Sequence, residues 1–284
     1  ALENGDIHFS IHDIPAGAVD EWKAKEGIDV LVHSGNSIGF LAFNWTQDRF
    51  KDHAVREAIA RAIDRKEIAD AIHPGIPTPR HYYLEKVSWA FNPDAVAPDY
   101  DEAAAEKLLD EAGYARDSEG IRFRVTISAR ELYPHYNIAA AVIAEQLGRI
   151  GIEARTESLS PVDWLERIQK QGDFDLAMDA GDIGPDPQQM ASFLASDGPR
   201  NIMRYSNPIV DEAFREGRAT PNKQERGEHY RRLQSALAAD IARVPLLQYG
   251  EYLPYSDKFT GWSWSDGVRG TVPFWYHGKV RKVE

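Results

Sequence analysis

The 284-residue sequence contains no cysteine, which removes disulfides, thiolate metal sites and cysteine nucleophiles together. It has no apolar run near the ~20 residues that bridge a bilayer. Its first residues, ALENGDIHFS, lack the basic start and apolar stretch of a signal peptide. They read as the middle of a helix-to-strand connection, so the expectation is a processed or excised chain. No G-x-S-x-G, S-x-x-K, P-loop or G-x-G-x-x-G occurs, and nucleophilic and nucleotide chemistry lose their usual signatures. Positive charge is scarce: 33 Lys and Arg face 45 Asp and Glu, a net charge of −12 that repels nucleic acid and anionic membrane. Nine histidines are present, but none has metal-site spacing; His8 and His12 lack a third ligand. No internal repeat is visible.

What remains is an ordinary globular composition, 43% hydrophobic and 27% charged, long enough for one or two domains. Ile28–His33 and the apolar Ile38–Phe43 read as two strands joined by a turn at Gly35-Asn36-Ser37. Asp52 caps a helix whose apolar stripe, Val55, Ile59, Ile63, shifts phase before Ile68 and Ile72. Residues 73–100 are a long Pro- and aromatic-rich loop. Asp101 opens a helix that Gly113 closes. Arg122–Ser128 alternates as a strand, with 129–133 a loop. Pro134–Arg149 is a helix with Ile138, Val142, Ile143 and Leu147 inward, and Gly151 ends it. Ile152–Glu157 is a strand, Pro161–Lys170 a helix with Trp164, Leu165 and Ile168 inward, and Phe174–Met178 a strand. Helices follow at 187–194, 208–218 and 222–241, and then the strand Val244–Tyr249. Strand and helix alternate through the middle, which makes an α/β sheet. The strands near Phe43 and Leu246 bracket that middle and predict an inserted lobe whose neighbour is represented only by the chain's two flanks.

The stretch DAGDIGPDPQQM, from Asp179 to Met190, crowds carboxylates after an apolar strand. Asp179 reads as the end of the strand and Asp186, before Pro187, as a helix N-cap. Asp182, between Gly181 and Gly184, is either a turn residue or a carboxylate at the sheet edge where α/β folds present ligands. Arg130 follows a strand on that same edge; it is either a fork for a carboxylate or an exposed partner of Glu131. Trp45, Trp89 and Tyr205 are candidate pocket walls; Phe91, Tyr133, Trp262, Trp264 and Trp275 read as packing.

Several stretches together carry a resemblance. LAFN followed by DHAVREAIARAIDRKEIADAI, then YDEAAAEKLLDEAGY, VIAEQLGRIGIEAR, DAGDIGPDPQQMASFL, NIMRYSNPIVDEAF and VPLLQYGEY occur in an order that resembles the peptide-type extracellular solute-binding proteins of ABC importers, family five. The resemblance covers essentially the whole chain and matches the C-terminal part of that longer family. It implies a periplasmic-binding-protein type II-like α/β lobe, a mixed sheet flanked by helices, with hinge strands and a fragment of the other lobe. Residues 1–44 would be the remnant of the first lobe with a hinge strand, 45–244 the complete ligand-binding lobe, and 245–284 the return strand and tail. It also implies a binding protein rather than an enzyme: a monomer, periplasmic or anchored at a cell surface, without cofactor or nucleic-acid partner. Its partners would be a peptide-like solute and a membrane permease. Asp182 then meets the ligand's amine and Arg130 its carboxylate. Non-peptide solutes (oligosaccharide, opine, nickel chelate) and fusion to a sensory module stay open. A rival from another class is a metal-dependent hydrolase built on Asp179, Asp182 and Asp186.

Overall fold

The computed structural model describes residues 1–10, 14–73, 78–84, 88–182, 186–262 and 280–283; at 16, 33–37, 181–182 and 249–251 it describes the backbone only. A short helix α1 (Val19–Lys23) precedes the long strand β1 (Ile28–Phe43). Helices α2 (Asp48–Lys51), α3 (His53–Ala62) and α4 (Arg65–Ile72), the short β2 (Thr78–Pro79) and α5 (Glu102–Glu111) follow. Next come β3 (Phe123–Arg130), α6 (Pro134–Arg149), β4 (Ile152–Leu159), and α7 (Pro161–Asp163), which continues as a π-helical segment Trp164–Gln171. Then come β5 (Leu176–Asp182), a 3-10 turn Pro187–Met190, α8 (Ala191–Leu194), α9 (Pro208–Ala219), α10 (Lys223–Asp240) and β6 (Arg243–Ser256).

Six strands form one mixed sheet in the order β2-β6-β1-β5-β3-β4. β3 runs parallel to β4 and β5, whereas β1 runs antiparallel to both β5 and β6. The central strands are apolar on both faces because both faces are covered. On one face Leu41, Ile127, Leu176, Met178 and Val244 meet Ile59 of α3, Ile63 just past its end, and Ile143 and Leu147 of α6. On the other, Phe40, Ala42 and Ala177 meet Trp164, Leu194, Val210, Tyr230 and Leu237. The outer halves of β1 and β6 extend beyond this sheet as a two-stranded ribbon, where Ile14, Val19, Val30 and Tyr252 make a small third core.

Local signals position most elements. Asp52 accepts from Ala54 N, Asp101 from Ala104 N and Asp186 from Gln188 N, three caps of the expected kind. Gly113 and Gly151 both take φ +83, the left-handed conformation that glycine adopts without strain.

Several expectations change. No turn separates residues 28–33 from 38–43; the backbone runs on as a single strand, and the irregular stretch is a register shift against β6 between Ser34 and Ile38. The helix from Asp52 to Ile72 is two helices, because Asp64 takes over as a second cap, accepting from Lys66 N and Glu67 N, and this break is the phase shift in the apolar stripe. Ile138 and Leu165 are exposed, at 38% and 47%, since Tyr136 and Ala139 on α6 and Trp164 and Ile168 on the π segment hold the buried faces. Arg130 belongs to β3 rather than a loop, and β5 continues past Met178 to Asp182, so Asp179 lies inside the strand. β6 likewise extends well beyond the expected 244–249.

Candidate functional site

Ile127 and Ser128 in the second half of the parallel strand β3 pair with Leu176 and Ala177 at the start of β5, and the two strands carry opposite charges towards their C-terminal ends, the edge at which α/β sheets meet ligands. Along β3, Val125, Ile127 and Ala129 point into the first core, and strand alternation therefore turns Ser128 and Arg130 to the opposite face. Along β5, Leu176 and Met178 take the first face, so Ala177 and Asp179 take the second. Arg130 and Asp179 meet there: Arg130 Nη2 donates to Asp179 Oδ1 at 3.1 Å. The guanidinium also lies over the Trp164 ring, 4.3 Å from its centroid, a cation–π contact that fixes its plane. Asn137 Nδ2 donates to the Arg130 carbonyl at 3.1 Å and ties the strand end to α6. Both side chains of the pair are largely covered, with 22% and 17% exposed.

Beside this pair is a small recess lined by Phe40, Ala42, Asp179, Arg200, Met203 and Arg243, among others. Arg243, the first residue of β6, is 6% exposed, and its guanidinium lies 3.4 Å from the Phe40 ring centroid. Burial lowers its pKa to about 10, against the opposing pull of Asp179. Burial pushes the Asp179 carboxyl above the usual range, and the Arg130 guanidinium, with Arg243 and Arg200 further off, pulls it back.

Two neighbouring carboxylates that are described, Asp186 and Asp175, have partners of their own. Asp186 caps the Pro187 turn and accepts from Arg226 Nη2 at 3.0 and 2.9 Å. Asp175, upstream, accepts from Thr126 N at 2.8 Å and Gln47 Nε2 at 2.8 Å, locking β3 to the segment after β1. Asp182 closes β5 with its backbone opposite Ser37; its side chain and residues 183–185 lie outside the described residues, as do His12, Trp264 and Trp275. Among the described residues no group of three His, Asp or Glu is placed to hold a metal ion.

The aromatic candidates form two clusters. Tyr205 is 1% exposed, donates to Asp240 Oδ2 at 2.6 Å, and packs against Trp45 at 4.9 Å. Burial, then that hydrogen bond, pushes its phenol far up. Trp45 donates through Nε1 to the Ala242 carbonyl at 3.0 Å, with Arg56 over its ring at 4.1 Å. Trp89 stands edge-on to Tyr230 at 5.8 Å, with Arg226 and Lys223 both 5.4 Å from its ring. Among the described residues no hydrogen bond, ion pair or ring contact joins either cluster to Arg130. Sequence reasoning missed three members of the charged group: Asp179 as Arg130's partner, Trp164 as its platform, and Arg243. The available signal was opposite charge near the ends of β3 and β5, informative once those strands are neighbours.

A family model for bacterial extracellular solute-binding proteins, family 5 Middle, matches residues 1–201. The chain belongs to that family. Among family relatives, heme-binding protein A of Haemophilus influenzae is 25% identical over 244 residues, 84% of this chain and 44% of that protein. The oligopeptide-binding protein AppA of Bacillus subtilis is 23% identical over 278 residues, 93% of this chain and 50% of that protein. The crystal structure of NikZ from Campylobacter jejuni in complex with Ni(L-His) superimposes with a TM-score of 0.85 at 22% identity, covering 99% of this chain and 58% of that one. The chain therefore spans about half the length of the proteins it matches. The fold is the type II periplasmic-binding-protein architecture expected from the sequence.

Proposed function

We propose that this chain is part of the substrate-binding component of an ABC importer, capturing a peptide or peptide-like solute in a cleft between two lobes and passing it to the permease. Residues 45–244 supply one wall as the ligand-binding lobe; 1–44 and 245–284 contribute the hinge strands that run through its sheet and the remnant and tail that pack with the other lobe. The reading is of a binder acting outside the membrane, in the periplasm or at the cell surface, and it needs no catalytic group. The observation that carries it is the paired charge at the sheet edge of a family 5 chain: Arg130 near the end of β3 beside the β5 edge that Asp182 closes. Peptide binding by relatives such as AppA supports the solute class. In this reading Asp182 receives the solute's ammonium by charge-assisted hydrogen bonds. Arg130, fixed by Asp179 and Trp164, offers its remaining N–H donors to the solute's carboxylate. Trp45, Trp89 and Tyr205 act behind this edge by holding the wall's shape.

Calorimetry of the full-length parent protein against a peptide mixture tests the reading. Submicromolar binding is expected, and Asp182→Ala should weaken it by about 1.5–3 kcal/mol, the worth of a charged hydrogen bond. Unchanged affinity in Asp182→Ala ends the proposed amine role. Native mass spectrometry of the same protein identifies the solute; a nickel chelate or haem in place of a peptide overturns the peptide reading.

A further inference from the structure

The recess beside Asp179 contains more positive charge than its acidic residue neutralises. Arg130 already binds Asp179 directly, at 3.1 Å. Arg243, from β6, and the exposed Arg200 both line the recess. Arg243 is 6% exposed, and it lies among apolar side chains with one carboxylate, that of Asp179, lining the recess. Its Nε is fully buried without a partner, and its closest partner is the π face of Phe40, at 3.4 Å. A desolvated guanidinium ordinarily has an acceptor, because burying a charge without one is costly. With a pKa of about 10 it remains a cation at neutral pH. The recess has about 10 Å³ of water-accessible space, roughly one water-sized group. That size excludes bulky solutes from its floor and admits a single halide or one carboxylate oxygen.

We infer that this recess is an anion site in which Arg243, assisted by Arg200, binds one compact monovalent anion next to the Arg130–Asp179 pair. The anion supplies the acceptor that Arg243 lacks and balances the excess of guanidinium over carboxylate. A free anion would occupy the site whatever solute the cleft takes, whereas occupation by a solute carboxylate rests on the proposed function. Two sources share the chemistry: a free small anion, or the carboxylate tip of an acidic solute.

The test is chloride-35 NMR line width on the purified chain, in sodium gluconate with small additions of chloride. Excess broadening is expected for the wild type, removed by acetate at equal ionic strength. Arg243→Met should abolish the broadening. Arg200→Ala, an exposed position whose loss leaves the core intact, should weaken chloride binding several-fold and guards against misfolding of the first variant. Equal line widths for wild type and both variants, or broadening that acetate fails to displace, would overturn the inference. Displacement by an acidic dipeptide but not a neutral one of equal length assigns the site to a solute carboxylate. Displacement by acetate alone assigns it to a free anion.

Discussion

Removing the charge of Asp179 while keeping its shape, as Asp179→Asn, should destabilise the fold. The pair distance of 3.1 Å gives a gross attraction of about 5 kcal/mol at an effective dielectric near 20. Desolvation opposes it, as the raised Asp179 pKa shows, so the pair as a whole contributes far less than that figure. Breaking it from one side is different, because Arg130 would remain over Trp164, and Arg243 and Arg200 beside the recess, without a counter-charge. Full burial would set that cost at about 3–5 kcal/mol, and the roughly one-fifth exposure of each side chain reduces it to ~2–3 kcal/mol. Arg130→Met alone leaves Asp179 buried and should cost a similar ~2 kcal/mol. The double variant removes both charges of the pair but still leaves Arg243 without its nearest carboxylate, so it should be no less stable than either single variant. Urea unfolding followed by circular dichroism measures all four proteins, and the cycle should return a coupling of at least ~2 kcal/mol. Strictly additive losses, with coupling under ~0.5 kcal/mol, would show that the contact has no energetic meaning and refute the reasoning.

Acid sensitivity should centre on His135. Burial lowers its pKa to about 4, below its unfolded value, so stability is intact above about pH 6.5, declines as pH falls from there to about 4, and levels off below. The loss is ~2–3 kcal/mol, and His135→Phe should flatten that limb in urea titrations run across the range. Asp64→Ala should cost ~1 kcal/mol by uncapping α4, read as a lowered urea midpoint with unchanged slope. Gly151→Ala should cost ~1–2 kcal/mol, since φ is +83 and the added Cβ would stand 3.1 Å from the Gly120 carbonyl and closer still to Arg116; an unchanged melting temperature would contradict this.

Where the sequence speaks locally, it predicts the structure well. Asp52, Asp101 and Asp186 cap helices because an Asx side chain satisfies backbone donors two or three residues away, a relation visible in any short window. Even the misplaced phase of the Asp52 helix contained its answer, in the second cap at Asp64. The charged group at the sheet edge was hidden for the opposite reason. Arg130 and Asp179 are 49 residues apart, and Arg243 comes from a third strand. Their meeting depends on strand order, which no local pattern encodes. Asp179 looked like the end of a strand because apolarity stops at Met178; the backbone ladder with β1 continues instead, and a nearby guanidinium makes a carboxylate tolerable there. Arg243 was overlooked because the apolar run VPLLQY starts one residue later, so the strand seemed to begin after it.

The register of β1 against β6 has a mechanical meaning. Ala42 lies opposite Arg243, so about 200 residues leave and return at neighbouring positions. To the ribbon formed by Ile28–Ala42 and Arg243–Ser256, everything between is a hairpin loop that happens to be folded. An unstructured loop of that length would cost ~3 kcal/mol more to close than a four-residue turn. A folded one presents its ends already apposed and removes that penalty. The ribbon therefore senses the integrity of the middle of the chain through the apposition of its ends as well as through the packing of its inner half. Melting the middle would remove that advantage and also strip Ile38–Ala42 and Val244–Leu247 of their packing in both cores, so only the outer halves, held by their own small core, should remain able to pair.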